Sequence, residues 1–182
     1  MKSRLIFILP LIGFAVLAVI LFKGLFGRPA DVIPSAMINK PAPLDEVPAL
    51  DAQTQGFGPR ELKSGKVVVV NFFSSTCVPC RLEAPVLNQL AQMPGVTLYG
   101  YVWKDKPENA RAFLNELGNP FSRIGLDTDG RLGMNWGVRG WPETFVVDGK
   151  GIIRFKYDLD ALTPKTLREQ ILPAIEAARR SS

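Results

Sequence analysis

The sequence contains no histidine among its 182 residues and only two cysteines. The first absence excludes every scheme that needs an imidazole: Ser-His-Asp and Cys-His nucleophile pairs, His-ligated metal centres and His-ligated haem. The second excludes a self-contained four-cysteine zinc site. Runs of like charge are also missing, and basic residues do not gather with aromatic ones. That argues against a nucleic-acid partner despite a formal net charge of +5. Part of that charge is local, since Lys2, Arg4, Lys23 and Arg28 stand against Asp31 near the N-terminus. There is no internal repeat. Apolar residues at 47 % suffice for a core, and the length suits one domain with an accessory segment.

That segment is N-terminal. Leu5 to Phe22 is an uncharged run of 18 residues, close to the ~20 needed to cross a bilayer as a helix. Lys23 can snorkel and let Leu25 and Phe26 extend it. Residues 1–27 are therefore expected to be one N-terminal transmembrane helix, an uncleaved membrane anchor. The alternative is a cleaved signal peptide, but the small residues of Ala15-Val16-Leu17-Ala18 lie inside the apolar run rather than after it. Positive residues flank both ends, so the charge rule leaves the orientation nearly tied. Residues 28–48 hold Pro29, Pro34, Pro41, Pro43 and Pro48 and read as an extended tether. The folded domain is expected over 49–182.

Within it, Lys66–Phe73 is a short apolar run rich in β-branched residues, the pattern of a strand buried on both faces. From Cys77 to about Met93 the spacing of Leu82, Val86, Leu87, Leu90 and Ala91 is helical, with Pro85 as an interior kink. Val96–Trp103 reads as a strand, Glu108–Leu117 as a helix, Phe121–Ile124 as a short strand and Arg131–Trp136 as a helical turn. Thr144–Val147 and Ile152–Tyr157 flank the loop Asp148-Gly149-Lys150-Gly151 as a hairpin. Thr163 caps a last helix that has Pro164 at its first position and runs to about Ala178. The order describes an α/β fold, a central mixed β-sheet flanked by helices.

Cys77-Val78-Pro79-Cys80 lies where the buried strand gives way to a helix. At that point unpaired backbone N–H groups and the positive end of the helix dipole favour a thiolate, the species that attacks disulfides. Cys80, one turn on, is placed to resolve the mixed disulfide, which makes Cys77–Cys80 a redox-active pair. Two other readings remain. A static disulfide across so small a loop would stabilise little by chain entropy. A two-thiolate site for a soft metal such as Cu(I) would make the protein a metal chaperone.

The segment Val67–Pro85 resembles the active-site strand and helix of thioredoxin-like proteins. The block Gly137-Val138-Arg139-Gly140-Trp141-Pro142-Glu143-Thr144-Phe145 resembles the Gly-Val-x-Gly-x-Pro-Glu-Thr-Phe block of the cytochrome c maturation thiol reductases, the CcmG/DsbE group. The resemblance implies a thioredoxin-like fold in which Pro142 is a cis-proline facing the dithiol. Trp141, Pro142 and Thr144 would line the substrate groove. Asn71 stands where thioredoxin has a buried Asp, and Glu83 and Glu143 are the acidic residues that would surround the site instead, one of them assisting proton transfer at Cys80. The plainer alternatives are a first-turn carboxylate offsetting the helix dipole for Glu83 and a solvent-facing loop residue for Glu143.

Two positions depart from the group's pattern: Thr76 replaces a Trp before the first cysteine, and Trp141 replaces a small residue before the proline. Trp141 would either restore the apolar cover that Thr76 lacks or narrow the groove. The function implied is a membrane-anchored disulfide reductase of the bacterial inner membrane with its catalytic domain in the periplasm. It would act on apocytochrome c or a cytochrome c maturation thiol protein, be re-reduced by a membrane electron donor, and need no cofactor and no metal. A periplasmic oxidase or isomerase is the rival within the same chemistry.

Overall fold

The computed structural model describes residues 2–26, 35–158 and 160–182; within the first helix, side chains are described for Pro10 and residues 12–23. The chain forms two compact units, 1–34 and 35–182. In the first, the apolar run forms one helix, α1 (Lys2–Phe26), with Pro10 inside it. Among the described residues no helix is long and apolar enough to cross a membrane. The transmembrane helix expected over 1–27 is therefore not among the features found, and much of that run's side-chain surface falls outside what is described.

The second unit is built on a five-stranded sheet in the order β3-β2-β1-β4-β5. Its strands are β1 (Val68–Phe73), β2 (Thr97–Trp103), β3 (Arg123–Asp127), β4 (Glu143–Val147) and β5 (Ile153–Asp158). The first three run parallel, while β4 is antiparallel to both β1 and β5. The sheet is thus mixed, as expected. β1 is central and all six of its residues are buried, which is why the chain spends Val and Phe on both of its faces.

Alternation along the strands divides the core in two. On one face Val69 and Phe73 meet α3 (Val78–Ala91), α4 (Pro107–Leu117) and the C-terminal helical region. That region comprises α6 (Pro164–Thr166), a π-turn segment (Leu167–Ile171) and α7 (Leu172–Ser181). On the other face Val68, Val70 and Phe72 meet Ala42, Val47, Phe57, Leu62, Trp136 and Val138. These come from the segment before β1, the short α2 (Pro59–Leu62), α5 (Arg131–Asn135) and the residues after it. Phe72 stacks on Tyr101 with ring centroids 4.1 Å apart, at the middle of this layer.

Three expectations shift. The tether expected over 28–48 becomes part of the folded unit from Ser35 onward. Ala42 and Val47 are buried, and the N–H groups of Asn39, Ala42 and Val47 donate to the carbonyls of Ile153, Gly151 and Phe57. Its remaining residues, 28–34, lie outside the described residues. The third strand falls at Arg123–Asp127 rather than Phe121–Ile124. Phe121 serves instead as a core side chain stacked on Phe73 at 5.2 Å, over Gly100, where a Cβ would come within 2.7 Å of the ring. The last helix carries a π-turn segment and extends to Ser181.

Candidate active site

The site lies at the carboxyl ends of the parallel strands, where open α/β sheets commonly place their chemistry. β1 ends at Phe73, and Ser74 turns the chain by accepting the Cys77 N–H at 3.1 Å. Cys77 is the N-cap of α3, in extended conformation, and its Sγ accepts the Cys80 N–H at 3.1 Å. Cys77 and Cys80 are joined as a disulfide. When the pair is reduced, the same N–H and the helix dipole favour negative charge on Cys77 rather than on Cys80. Both cysteines are buried, Cys77 at 5 % exposure and Cys80 at 2 %. Val78 and Leu82, four residues apart on α3, are exposed beside them.

Pro85 sits inside α3, which runs unbroken through it. The peptide before Pro142 is cis, and Pro142 is buried. Trp141 donates its indole N–H to the Trp103 carbonyl at 3.1 Å and meets the Trp103 ring edge-on. It packs against both core layers, including the one that holds the two cysteines. Thr76 pairs its hydroxyl with that of Ser74. Thr144 is buried and accepts a hydrogen bond from Asn71 at 3.0 Å. It supports the interior rather than lining an open groove.

The two carboxyls expected together are separated by the sheet. Glu83 is fully buried on the α3 side, where Oε1 accepts from Asn71 at 2.8 Å and Oε2 from the Leu162 N–H at 3.0 Å. It lines a small cavity together with Cys80, Asn71 and Phe121. Burial pushes its pKa up to about 7, with the nearby Asp160 adding to the rise and the two hydrogen bonds opposing it. Glu143 opposes Phe72 in register and shares its parity along β4 with Phe145 and Val147, so it faces the other core layer. There it lies 2.8 Å from the buried Lys156 ammonium and accepts the Arg139 N–H at 2.9 Å. Burial raises its pKa, and Lys156 and the Arg139 amide pull against that rise. Glu143 is neither solvent-facing nor on the cysteine side. Its position follows from strand parity, which adjacency to Pro142 in the sequence does not reveal.

Sequence reasoning missed Asp105 and Lys156, which pack behind the site, and the Leu162 N–H that receives Glu83. Asp105 had one available signal: a carboxylate just past the carboxyl end of the strand beside the cysteine strand. Among the described residues, no cluster of acidic, cysteine or histidine side chains is arranged to hold a metal.

Known proteins resemble this chain in sequence and fold. Residues 38–156 match the AhpC/TSA family model. The chain is 41 % identical over 171 residues to the thiol:disulfide interchange protein DsbE of Pseudomonas aeruginosa, covering 94 % of this chain and 93 % of that one. It is 44 % identical over 123 residues to the thiol:disulfide interchange protein HelX of Rhodobacter capsulatus, covering 68 % and 69 %. A solved thiol:disulfide interchange protein of the DsbE kind from Chlorobium tepidum superposes with a TM-score of 0.65 at 25 % identity, over 78 % of this chain and 97 % of that one.

Proposed function

Because the chain belongs to the AhpC/TSA family, and within it to the DsbE-type thiol:disulfide interchange proteins, we propose that it is a membrane-anchored disulfide reductase serving cytochrome c maturation. The protein is a thiol-disulfide oxidoreductase of thioredoxin-like fold; the direction, client and location are our reading. Its clients would be apocytochrome c or a cytochrome c maturation thiol protein. The sequence block Gly137–Phe145 supports that choice. So does the chemistry, since haem attachment needs free thiols in an oxidising compartment.

The observation that carries the reading is the asymmetric environment of the two sulfurs. Cys77 caps α3 and receives the Cys80 N–H, whereas Cys80 lines a small cavity together with the buried Glu83. The reduced protein attacks through the Cys77 thiolate and forms a mixed disulfide, releasing one client thiolate. Cys80 then gives up its proton and attacks Cys77 Sγ, releasing the second client thiol and leaving the Cys77–Cys80 disulfide. Two electrons pass to the client, and a membrane electron donor restores them afterwards. Glu83, with a pKa near 7, is matched to take the Cys80 proton near neutral pH. Pro142 and Trp141 would flank the bound client, and the exposed Val78 and Leu82 would offer it apolar contact. The apolar run of α1 would anchor the protein in the bacterial inner membrane with residues 35–182 in the periplasm.

A strain lacking this chain should lose holocytochrome c. The full chain, or an added small thiol, should restore it, and Cys77→Ser should not. The restoring protein should sediment with membranes and be released when residues 2–26 are deleted. Restoration by an added disulfide oxidant, or by Cys77→Ser, would refute the assignment.

A further inference from the structure

The loop that delivers Cys77 is held from behind. β2 ends at Trp103, and the next residue, Lys104, has φ 57°, the left-handed region that non-glycine residues seldom occupy. Its N–H donates to the Asp127 carbonyl at 2.9 Å, and its ammonium lies 4.3 Å from the centre of the Trp103 ring. This reversal turns Asp105 inward, where it is 7 % exposed. One carboxylate oxygen takes the Ser75 N–H at 2.6 Å and the Ser74 hydroxyl at 3.3 Å. The other takes the Lys106 N–H at 2.7 Å, just before α4 begins. Ser74 passes the constraint on, through its carbonyl to the Cys77 N–H and through its hydroxyl to Thr76. The Trp103 carbonyl meanwhile holds the Trp141 indole. A single turn thereby grips both walls of the site, the cysteine loop through Asp105 and the cis-proline loop through Trp103.

We infer that Asp105 is a positioning residue for the dithiol: it fixes Ser74–Thr76 so that Cys77 Sγ stays at the α3 cap, within reach of the Cys80 N–H. Hydrogen bonds from backbone N–H groups to a carboxylate that is itself nearly buried are strong enough for this role. The inference rests on the reading of Cys77 as the attacking thiol.

The two ways Asp105 could act on Cys77 have opposite signs. As a positioning residue it favours the thiolate, so its loss raises the Cys77 pKa. As a nearby negative charge it opposes the thiolate, so its loss lowers that pKa. The test titrates Cys77 in the reduced full-length protein, following thiolate absorbance and the rate of alkylation, in the wild type and in Asp105→Ala and Asp105→Asn. Asp105→Ala should raise the Cys77 pKa by about one unit and slow attack on a model disulfide several-fold at neutral pH. Asp105→Asn keeps one acceptor oxygen and should shift the pKa in the same direction by less. Should the Ala variant fail to fold, the direction of shift in the Asn variant decides. An unshifted or lowered Cys77 pKa in the variants, with normal wild-type exchange, overturns the role of Asp105 alone. A wild-type Cys77 that neither titrates below an ordinary thiol nor exchanges overturns the attack reading, and this inference with it.

Discussion

The asymmetry of the site is set by single atoms. Cys77 and Cys80 differ in which one receives a backbone N–H and which one lies beside a buried carboxyl. Glu83 carries a testable pH signature. Its folded pKa, about 7, lies above its ordinary value of 4.5. The stability it contributes is therefore complete below about pH 4.5 and is lost as pH rises through about 7, by up to roughly 3 kcal/mol. Glu83→Gln removes the titration. Its amide NH2 must also face one of the two donors, Asn71 or the Leu162 N–H, at a cost of about 1–3 kcal/mol. Denaturant unfolding of the oxidised protein should find the Gln variant less stable at pH 5 and the gap narrowed or reversed at pH 8. In the reduced protein the same substitution should slow the resolving step at Cys80. A pH-independent gap would mean that Glu83 is already ionised when folded. The cysteines were legible in the sequence because their chemistry depends on local position, at a strand–helix junction. The partners of Glu83 were not, because Asn71 and the Leu162 N–H reach it from distant stretches of chain.

Elements place residues on faces, and that settles the second carboxyl. Glu143 and Thr144 are adjacent in sequence and inseparable by motif, yet β4 sends them to opposite sides of the sheet. Glu143 pairs with Lys156 across the hairpin partner β5, and Lys156 also donates to the Gly137 carbonyl at 3.1 Å. The pair thereby ties the hairpin to the loop leading into Pro142. Lys156→Met would leave a buried carboxylate without its cation and should cost about 3–5 kcal/mol, read as a large fall in Tm. The double variant Lys156→Met with Glu143→Gln should recover part of that loss. A double-variant loss equal to the sum of the two single losses would mean that the pair carries no coupling. β1, α3 and the β4–β5 hairpin were readable because period and composition agree there. Phe121–Ile124 misled, because an aromatic residue at a strand's edge and one plugging a loop over Gly100 look alike in sequence. The π-turn segment Leu167–Ile171 likewise breaks the period that the helix pattern assumes.

At the scale of the whole molecule, the unit 35–182 owes its second core layer to chain that carries no periodic signal. Ala42, Val47 and Phe57 cover Val68, Val70 and Phe72 through isolated bridges such as Val47 to Phe57. Five prolines suggested a tether, whereas extended chain laid across a sheet uses prolines equally well, since neither has a helix to break. The composition nonetheless limited the chemistry correctly: without histidine, a redox dithiol was the strongest reading available. Direction is the central claim of the proposed function. The most direct test mixes the reduced full-length protein with an oxidised Cys-x-x-Cys-His peptide and counts free thiols on each by alkylation and mass. The account predicts reduced peptide and oxidised protein, with Cys80→Ser trapping the peptide on Cys77 as a mixed disulfide. If the peptide stays oxidised, and the oxidised protein instead forms the disulfide in reduced peptide, the protein is an oxidase and the proposed function is wrong.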